Sequence, residues 1–158
     1  MTYTPKETAR FLAKVDATGD CWLWVAAVSS AGYGAFWHNK QMQKAHRVSY
    51  ELAYGSIAPG MSVDHICHER RCVNPAHLRE VTPKQNIENH AGKAKASSKS
   101  GVRGVVWVKD CNKWGVYVSH NGKSRYYGVY ESIADAEAAA IKARNELFSH
   151  NDRDRLTA

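Results

Sequence analysis

The chain has 158 residues, and its 22 Lys and Arg against 15 Asp and Glu leave a formal net charge of +7. That length allows one compact domain or two small ones, and the positive balance favours a polyanionic partner, most commonly nucleic acid, over a merely basic soluble protein. No apolar run approaches the roughly 20 residues of a membrane span, and the start Met-Thr-Tyr-Thr-Pro-Lys has no apolar core of a signal peptide, so the expectation is a cytoplasmic protein with no membrane partner.

In chain order, Thr4-Pro5 reads as a helix start, a capping hydroxyl followed by proline at the first helical position. Phe11, Leu12 and Val15 give that helix an apolar face, and Thr18-Gly-Asp20 ends it. Cys21-Trp-Leu-Trp-Val reads as a strand that would bury Trp22 and Trp24. A glycine-bearing turn, Ser29 to Gly34, would join it in a hairpin to a second strand, Ala35-Phe-Trp-His. Ala45 to Tyr54 has helical periodicity and stops at Gly55. Met61-Ser-Val-Asp reads as a strand, Leu78 to Thr82 as another, and Thr82-Pro83 as the capped start of a helix through Asn89 that would bring Asn86 back towards Asp64 and His65.

Residues 90–100 are His90 followed by only Gly, Ala, Ser and Lys, with no bulky apolar side chain, which predicts a linker. Lys93, Lys95, Lys99, Arg103 and Lys109 fall in an acid-free window from Asn89 to Lys109, so this arm can track a phosphate backbone as well as tether. From Val102 to Val129 the alternation predicts three strands, Val102–Lys109, Trp114–Ser119 and Ser124–Val129, with Asn121-Gly122 as a strong hairpin signal. Ser132 caps a helix from Ile133 to Phe148 whose alanines allow close packing on the sheet. The result is an α+β chain in four parts: a module at 1–89, a basic linker at 90–100, a three-stranded antiparallel sheet packed on one helix at 101–148, and a polar, frayed tail at 149–158.

The chemistry concentrates between Asp64 and His77. In a reducing compartment, cysteines clustered with histidines read as metal ligands rather than disulfides. Cys67, Cys72 and His77, at C-x4-C-x4-H spacing, suit three corners of a tetrahedral Zn²⁺ site. Cys21 is the natural fourth ligand, with His68 as the alternative; Cys111, alone in a later turn, is left out. Reduced cysteines without a metal are the plainer reading. Asp64 and His65 form a second group: a neutral histidine takes a proton from water, and a carboxylate with the Asn86 amide oxygen suits Mg²⁺ or another hard divalent cation. Asn74, followed by Pro75, would bond a backbone carbonyl and hold the His65 loop. A buried, hydrogen-bonded Asp-His pair without catalysis is the bland alternative.

The run Cys21-Trp-Leu-Trp, Gly32-Tyr-Gly, Ala45-His-Arg, Asp64-His-x-Cys, Cys72-Val-Asn-Pro-x-His77-Leu and Asn86 resembles the HNH homing endonucleases of the ββα-metal class. It is also similar to the His-Cys box nucleases, which share the C-x4-C-x4-H spacing. The match spans about Phe11 to Asn89. The resemblance implies that His65 is the general base, that Asp64 and Asn86 hold the catalytic cation, and that Cys21, Cys67, Cys72 and His77 bind structural zinc. It makes Asn74 the middle asparagine of the motif, while Asn86 stands in place of the final histidine of the strict pattern. Arg47 would contact a phosphate oxygen of the product, a part His46 could also take.

Residues from about Ser100 to Leu147 resemble the AP2/ERF DNA-binding domain, on Arg103-Gly-Val105, Lys113-Trp114, Tyr127-Gly-Val-Tyr130 and the alanine-rich helix from Ala134 to Ala143. In that family the sheet enters the major groove with the helix behind it. The implied DNA contacts are Arg103, Trp107, Lys109, Tyr117, Arg125 and Tyr126, with Trp114, Val116 and Val118 facing the helix; the sparse arginines imply weak base reading. Together the two resemblances imply a homing or phage-encoded nuclease that hydrolyses double-stranded DNA in a bacterial host. A monomer would nick and a symmetric homodimer would cut both strands. The rival is a zinc-stabilised DNA-binding regulator without catalysis, and an RNA-directed protein is a third reading.

Overall fold

A computed structural model describes residues 3–89 and 98–156, so Lys93 and Lys95 lie outside the described residues. The chain divides into two compact units, Met1–Asn86 and Ile87–Ala158.

The first unit opens with α1, Pro5–Leu12. Thr4 caps it: its Oγ1 accepts from the Glu7 backbone N–H while the Glu7 carboxylate accepts from the Thr4 backbone N–H. β1 (Val15–Asp16) pairs antiparallel with β2 (Leu23–Trp24), so the strand expected from Cys21 to Val25 is short and its partner lies upstream. β3 (Ala35–His38) pairs instead with β4 (Gln41–Lys44), an element the sequence reading left out. Asn39 and Lys40 close this hairpin with φ of 46° and 59°. Both turn residues are left-handed, as the tight primed turn requires, without the usual glycine.

α2, Ala45–Tyr54, follows β4 directly. Its Ala45 and Val48 pack with Phe11, Trp24, Phe36 and Val73 into the core of this unit. Phe11, Trp24 and Phe36 meet at ring separations of 5.1 to 6.0 Å, in tilted and edge-on pairs. Gly34 makes this possible: a Cβ there would fall 2.7 Å from the Trp24 ring and 2.9 Å from the Ala45 Cβ. Trp24 is fully buried as expected, whereas Trp22 is half-buried.

β5 (Ser62–His65) and β6 (Leu78–Val81) form an antiparallel pair, with the ligand-rich loop between them, and α3 (Pro83–Glu88) follows. Thr82 and Gln85 cap α3 reciprocally.

The second unit is a three-stranded antiparallel sheet in the order β7 (Val105–Val108), β8 (Lys113–His120), β9 (Lys123–Tyr130). α4 (Ile133–Leu147), capped by Ser132, packs Ala136, Ala140 and Ala143 against Val105, Val116 and Val118. The tail is not frayed throughout: Asp152–Leu156 forms a short helix, α5, tied by an Arg144–Asp154 ion pair at 2.6 Å. The chain is thus mixed α+β with small sheets, and among the described residues no helix is long and apolar enough to cross a membrane.

Candidate nuclease and metal site

The loop between β5 and β6 folds back on itself through turns. Cys72 N–H bonds the Glu69 carbonyl, Ile66 N–H bonds the His77 carbonyl, and His68 adopts φ of 59°. The segment carrying Cys21 is stitched to this loop. Trp24 N–H donates to the Arg71 carbonyl at 2.9 Å, Val73 N–H donates to the Trp22 carbonyl at 2.7 Å, and Leu23 bridges Cys72. The Arg71 side chain adds two bonds to the Trp24 carbonyl. Residues distant in sequence therefore meet at one point.

At that point Cys21, Cys67, Cys72 and His77 place their ligand atoms within 4.8 Å of one another, an arrangement that could hold a metal ion. His77 Nδ1 lies 3.5 Å from Cys21 Sγ and 3.6 Å from Cys72 Sγ. A tetrahedral zinc with legs of about 2.3 Å to sulfur and 2.1 Å to nitrogen has S···N edges of about 3.6 Å, so the set fits that geometry. His68 is not in the group; its Nε2 is buried without a hydrogen-bond partner. Hydrogen bonding from the Cys72 thiol draws Cys67 down to about 5, while the same bond, with burial, pushes Cys72 up. Burial pushes the Cys21 thiol up. Negative charge thus settles first on Cys67, and a metal would have to displace the protons from the other two sulfurs.

Asn74 ties the loop that follows His65 to the segment that carries Cys21. Its Oδ1 accepts from Ala76 N–H and caps the single 3-10 turn Pro75–His77, its Nδ2 donates to the Asp20 carbonyl at 2.8 Å, and its backbone N–H points at Cys72 Sγ. It therefore joins the two ligand-bearing segments. Asp20 places Oδ2 3.5 Å from His77 Nε2, the nitrogen turned away from the sulfurs, where a carboxylate orients a ligating imidazole.

His65 closes β5 and is buried. Its Nε2 lies 3.0 Å from the Cys72 carbonyl oxygen. A carbonyl only accepts, so Nε2 carries the proton and Nδ1 keeps the lone pair. Burial holds the His65 pKa below the ordinary histidine value, so the ring is neutral near pH 7. The His46 ring packs edge-on against it at 4.6 Å, and Tyr33 packs on both, at 5.3 and 6.0 Å. His46 is held at about 2, mainly by burial and then by the neighbouring His65.

Asp64 stands opposite Arg79 across the β5–β6 pair, and Arg79 gives its Oδ2 two bonds, at 3.2 Å from Nε and 3.0 Å from Nη2. Nothing local in the sequence marks Arg79; only the strand register exposes this pairing. Asn86 lies half-buried on α3, and Arg47 half-buried on α2. A carboxylate and an amide are the oxygen donors a hard cation takes, although Asp64 already shares its charge with Arg79.

In the second unit the expected DNA-facing set divides. Tyr117 and Tyr126 are exposed, paired across β8 and β9, with rings 5.2 Å apart. Arg125 is exposed but opposite the buried Val118, so it leaves the sheet on the other side from Tyr126. Trp107 is not on the Tyr117 face: it stands opposite Trp114, which packs on the core, and the two rings meet at 4.9 Å. Arg103 is turned inward. Its guanidinium donates to the Ile87 and Glu88 carbonyls and lies 5.3 Å over Phe148. Gly104 beside it has φ of 86°, and a Cβ there would fall 2.6 Å from the Tyr117 carbonyl oxygen, which explains the Arg-Gly pair as a packing requirement. Lys99 and Lys109 are exposed.

Residues 43–87 match the family model described as HNH endonuclease, which takes in α2, both strands of the β5–β6 pair, the ligand loop and most of α3. Protein 7.7 of Escherichia phage T7 is 34% identical over 119 residues, 72% of this chain and 88% of the relative. Protein 3.8 of the same phage is 31% identical over 121 residues, 73% of this chain and 96% of the relative, and Protein 2.8 is 34% identical over 85 residues, 52% and 57% respectively. The chain belongs to the family of these phage T7 proteins, and the HNH endonuclease match over residues 43–87 supports a nuclease. No solved structure gives a significant match.

Proposed function

We propose that the protein is a metal-dependent endonuclease that hydrolyses phosphodiester bonds in double-stranded DNA inside a bacterial host. The observation that carries this is the His65 ring: buried and neutral, with Nε2 spent on the Cys72 carbonyl and Nδ1 left as base, in a domain matching HNH endonucleases. In this reading His65 Nδ1 takes the proton from the attacking water. Asp64 and Asn86 hold Mg²⁺ or another divalent cation, which when bound supplies positive charge against the phosphate and leaving oxygens. Arg79 holds the Asp64 carboxylate through two bonds and aims it. Arg47, whose side chain makes no hydrogen bond or ion pair among the described residues, contacts the phosphate of the product. Cys21, Cys67, Cys72 and His77 hold a structural Zn²⁺, and Asn74 is a positioning residue for that site.

The C-terminal unit acts as an AP2-like DNA-binding domain, with Tyr117 and Tyr126 as the contacts best supported by exposure and register. Lys109 serves as a flanking phosphate contact, together with Lys93, Lys95 and Lys99 of the linker, while Arg125 leaves the sheet on the other side. Arg103 and Trp107 are assigned to packing.

One observation favours the non-catalytic reading: Asp64 is already in an ion pair, as in a structural Asp-Arg bridge. Incubation with duplex DNA separates the two. The nuclease yields new termini when Mg²⁺ is added and none without it; a regulator binds tightly and leaves the strands whole.

A further inference from the structure

The Ser29–Tyr33 turn beside His65 does more than connect strands. Gly32 N–H bonds the Ser29 carbonyl, and Tyr33 N–H bonds the Ser29 hydroxyl, so Tyr33 is presented rigidly against His46 and His65. Two cations converge on that same ring. Lys44 Nζ lies 5.1 Å from its centre and the Arg70 guanidinium 5.5 Å. Arg70 is held by a bond from Nη1 to the Ala31 carbonyl at 2.9 Å, and Lys44, exposed, is the last residue before α2.

The ring face attracts each cation, and both side chains are exposed, so their charges remain open to a ligand. No carboxylate is paired with either among the described residues. Glu69, the neighbour of Arg70, turns back to the Arg71 backbone N–H. The sequence holds no Asp or Glu from Cys21 through Tyr50, and the first turn of α2 carries none. The cations are therefore arranged for an anion from outside the chain, and they flank the ring that packs on the proposed general base. We infer that Lys44 and Arg70, seated on Tyr33, form a phosphate-binding pair that grips the DNA backbone next to the bond His65 addresses. The inference rests on the nuclease reading for the identity of the anion, and it adds three residues to that site.

The test uses the full-length, zinc-loaded chain with His65→Ala in the background, so that binding is measured without cutting. Affinity for a short duplex is followed over a range of salt concentrations, with Mg²⁺ omitted. Each phosphate contact contributes about 0.9 to the slope of log K against log salt. Lys44→Gln and Arg70→Gln should each lower the slope by about that amount, and the double variant by about twice it. Tyr33→Phe should keep the slope, and Tyr33→Ala should lose most of what the double variant loses. Lys44→Arg with Arg70→Lys should restore it. Lys6→Gln, an exposed cation on α1, serves as the remote control. With His65 present, the Gln variants should raise KM more than they lower kcat.

A double variant with the wild-type slope, or a protein that binds no duplex, overturns the pair. So does a loss of kcat with the slope unchanged, because that is the signature of misplaced packing. If the slope falls as expected while the protein with His65 intact cuts nothing, the nuclease reading fails and the phosphate pair stands.

Discussion

The two units are held together in different ways. The second buries valines of its sheet under the alanines of α4, closed by Phe148 and by Arg144, whose guanidinium bonds Asp154 and the Arg103 carbonyl. Its hydrophobic core is continuous and involves no cysteine. The first has an aromatic core around Trp24, but its β5–β6 loop makes few regular backbone pairs and is organised around three sulfurs and an imidazole. Fold and chemistry share one loop there: the Cys72 carbonyl that orients His65 belongs to a residue whose sulfur joins the cluster. With the proposed zinc in the cluster, the placement of His65 in the first unit should depend on that metal, whereas the second unit should be indifferent to it.

The sharpest way to break that contrast is Cys72→Ser. Structural zinc contributes on the order of 10 kcal/mol in small domains, so the substitution should abolish zinc content and unfold the first unit, while the sheet of the second melts as before. Calorimetry with metal analysis checks this; a single unchanged transition in a zinc-free variant would show that the aromatic core suffices.

His65→Ala comes next. Loss of a general base costs about 10²- to 10⁴-fold in rate, with zinc content and duplex affinity near wild type. The reciprocal substitution is Phe148→Ala, which should destabilise the second unit by about 3 to 5 kcal/mol and leave zinc bound. Denaturant titrations that follow zinc release for the first unit and amide hydrogen exchange of β7–β9 for the second would report the two units apart.

Acidification should also separate them. Burial depresses His46 and His65, so the folded first unit binds fewer protons than its unfolded chain. Its stability is full above the unfolded histidine value, near 6.5, and falls as pH drops below it towards the folded value of His46, about 2. In excess zinc, the first unit should lose more stability than the second between neutral and mildly acid pH, and His46→Phe should flatten the loss. The smallest expected effect is on Tyr126→Ala, which should weaken duplex affinity by about 1 kcal/mol or less if the Tyr117–Tyr126 face touches DNA.

The elements that announce themselves locally were legible in the sequence: the caps at Thr4, Thr82 and Ser132, the Asn121-Gly122 turn, and the clustered cysteines and histidines. Cys21 goes with the later cysteines in the sequence because it follows the Gly19-Asp20 turn and no other cysteine lies in the N-terminal part. What escaped depends on pairing at a distance. The β3–β4 hairpin turns on Asn39-Lys40, where two non-glycine residues adopt left-handed conformations, so no glycine marks it. The Asp64–Arg79 pair follows from strand register, which the sequence does not display. Arg103 reads as a surface cation, yet it folds inward because the Ile87 and Glu88 carbonyls and the Phe148 ring lie within its reach. Arg125 and Tyr126, adjacent in sequence, cannot share one face of a strand.

The central assignment is the base at His65, and supercoiled plasmid cleavage tests it most directly. Zinc-loaded protein is incubated with plasmid, with Mg²⁺ and without it, beside His65→Ala of equal zinc content and equal melting temperature. The nuclease assignment predicts nicked or linear plasmid only for the wild-type chain with Mg²⁺. Equal cutting by the folded His65→Ala protein, or none by the wild-type chain on plasmid carrying DNA from its own locus, would contradict it.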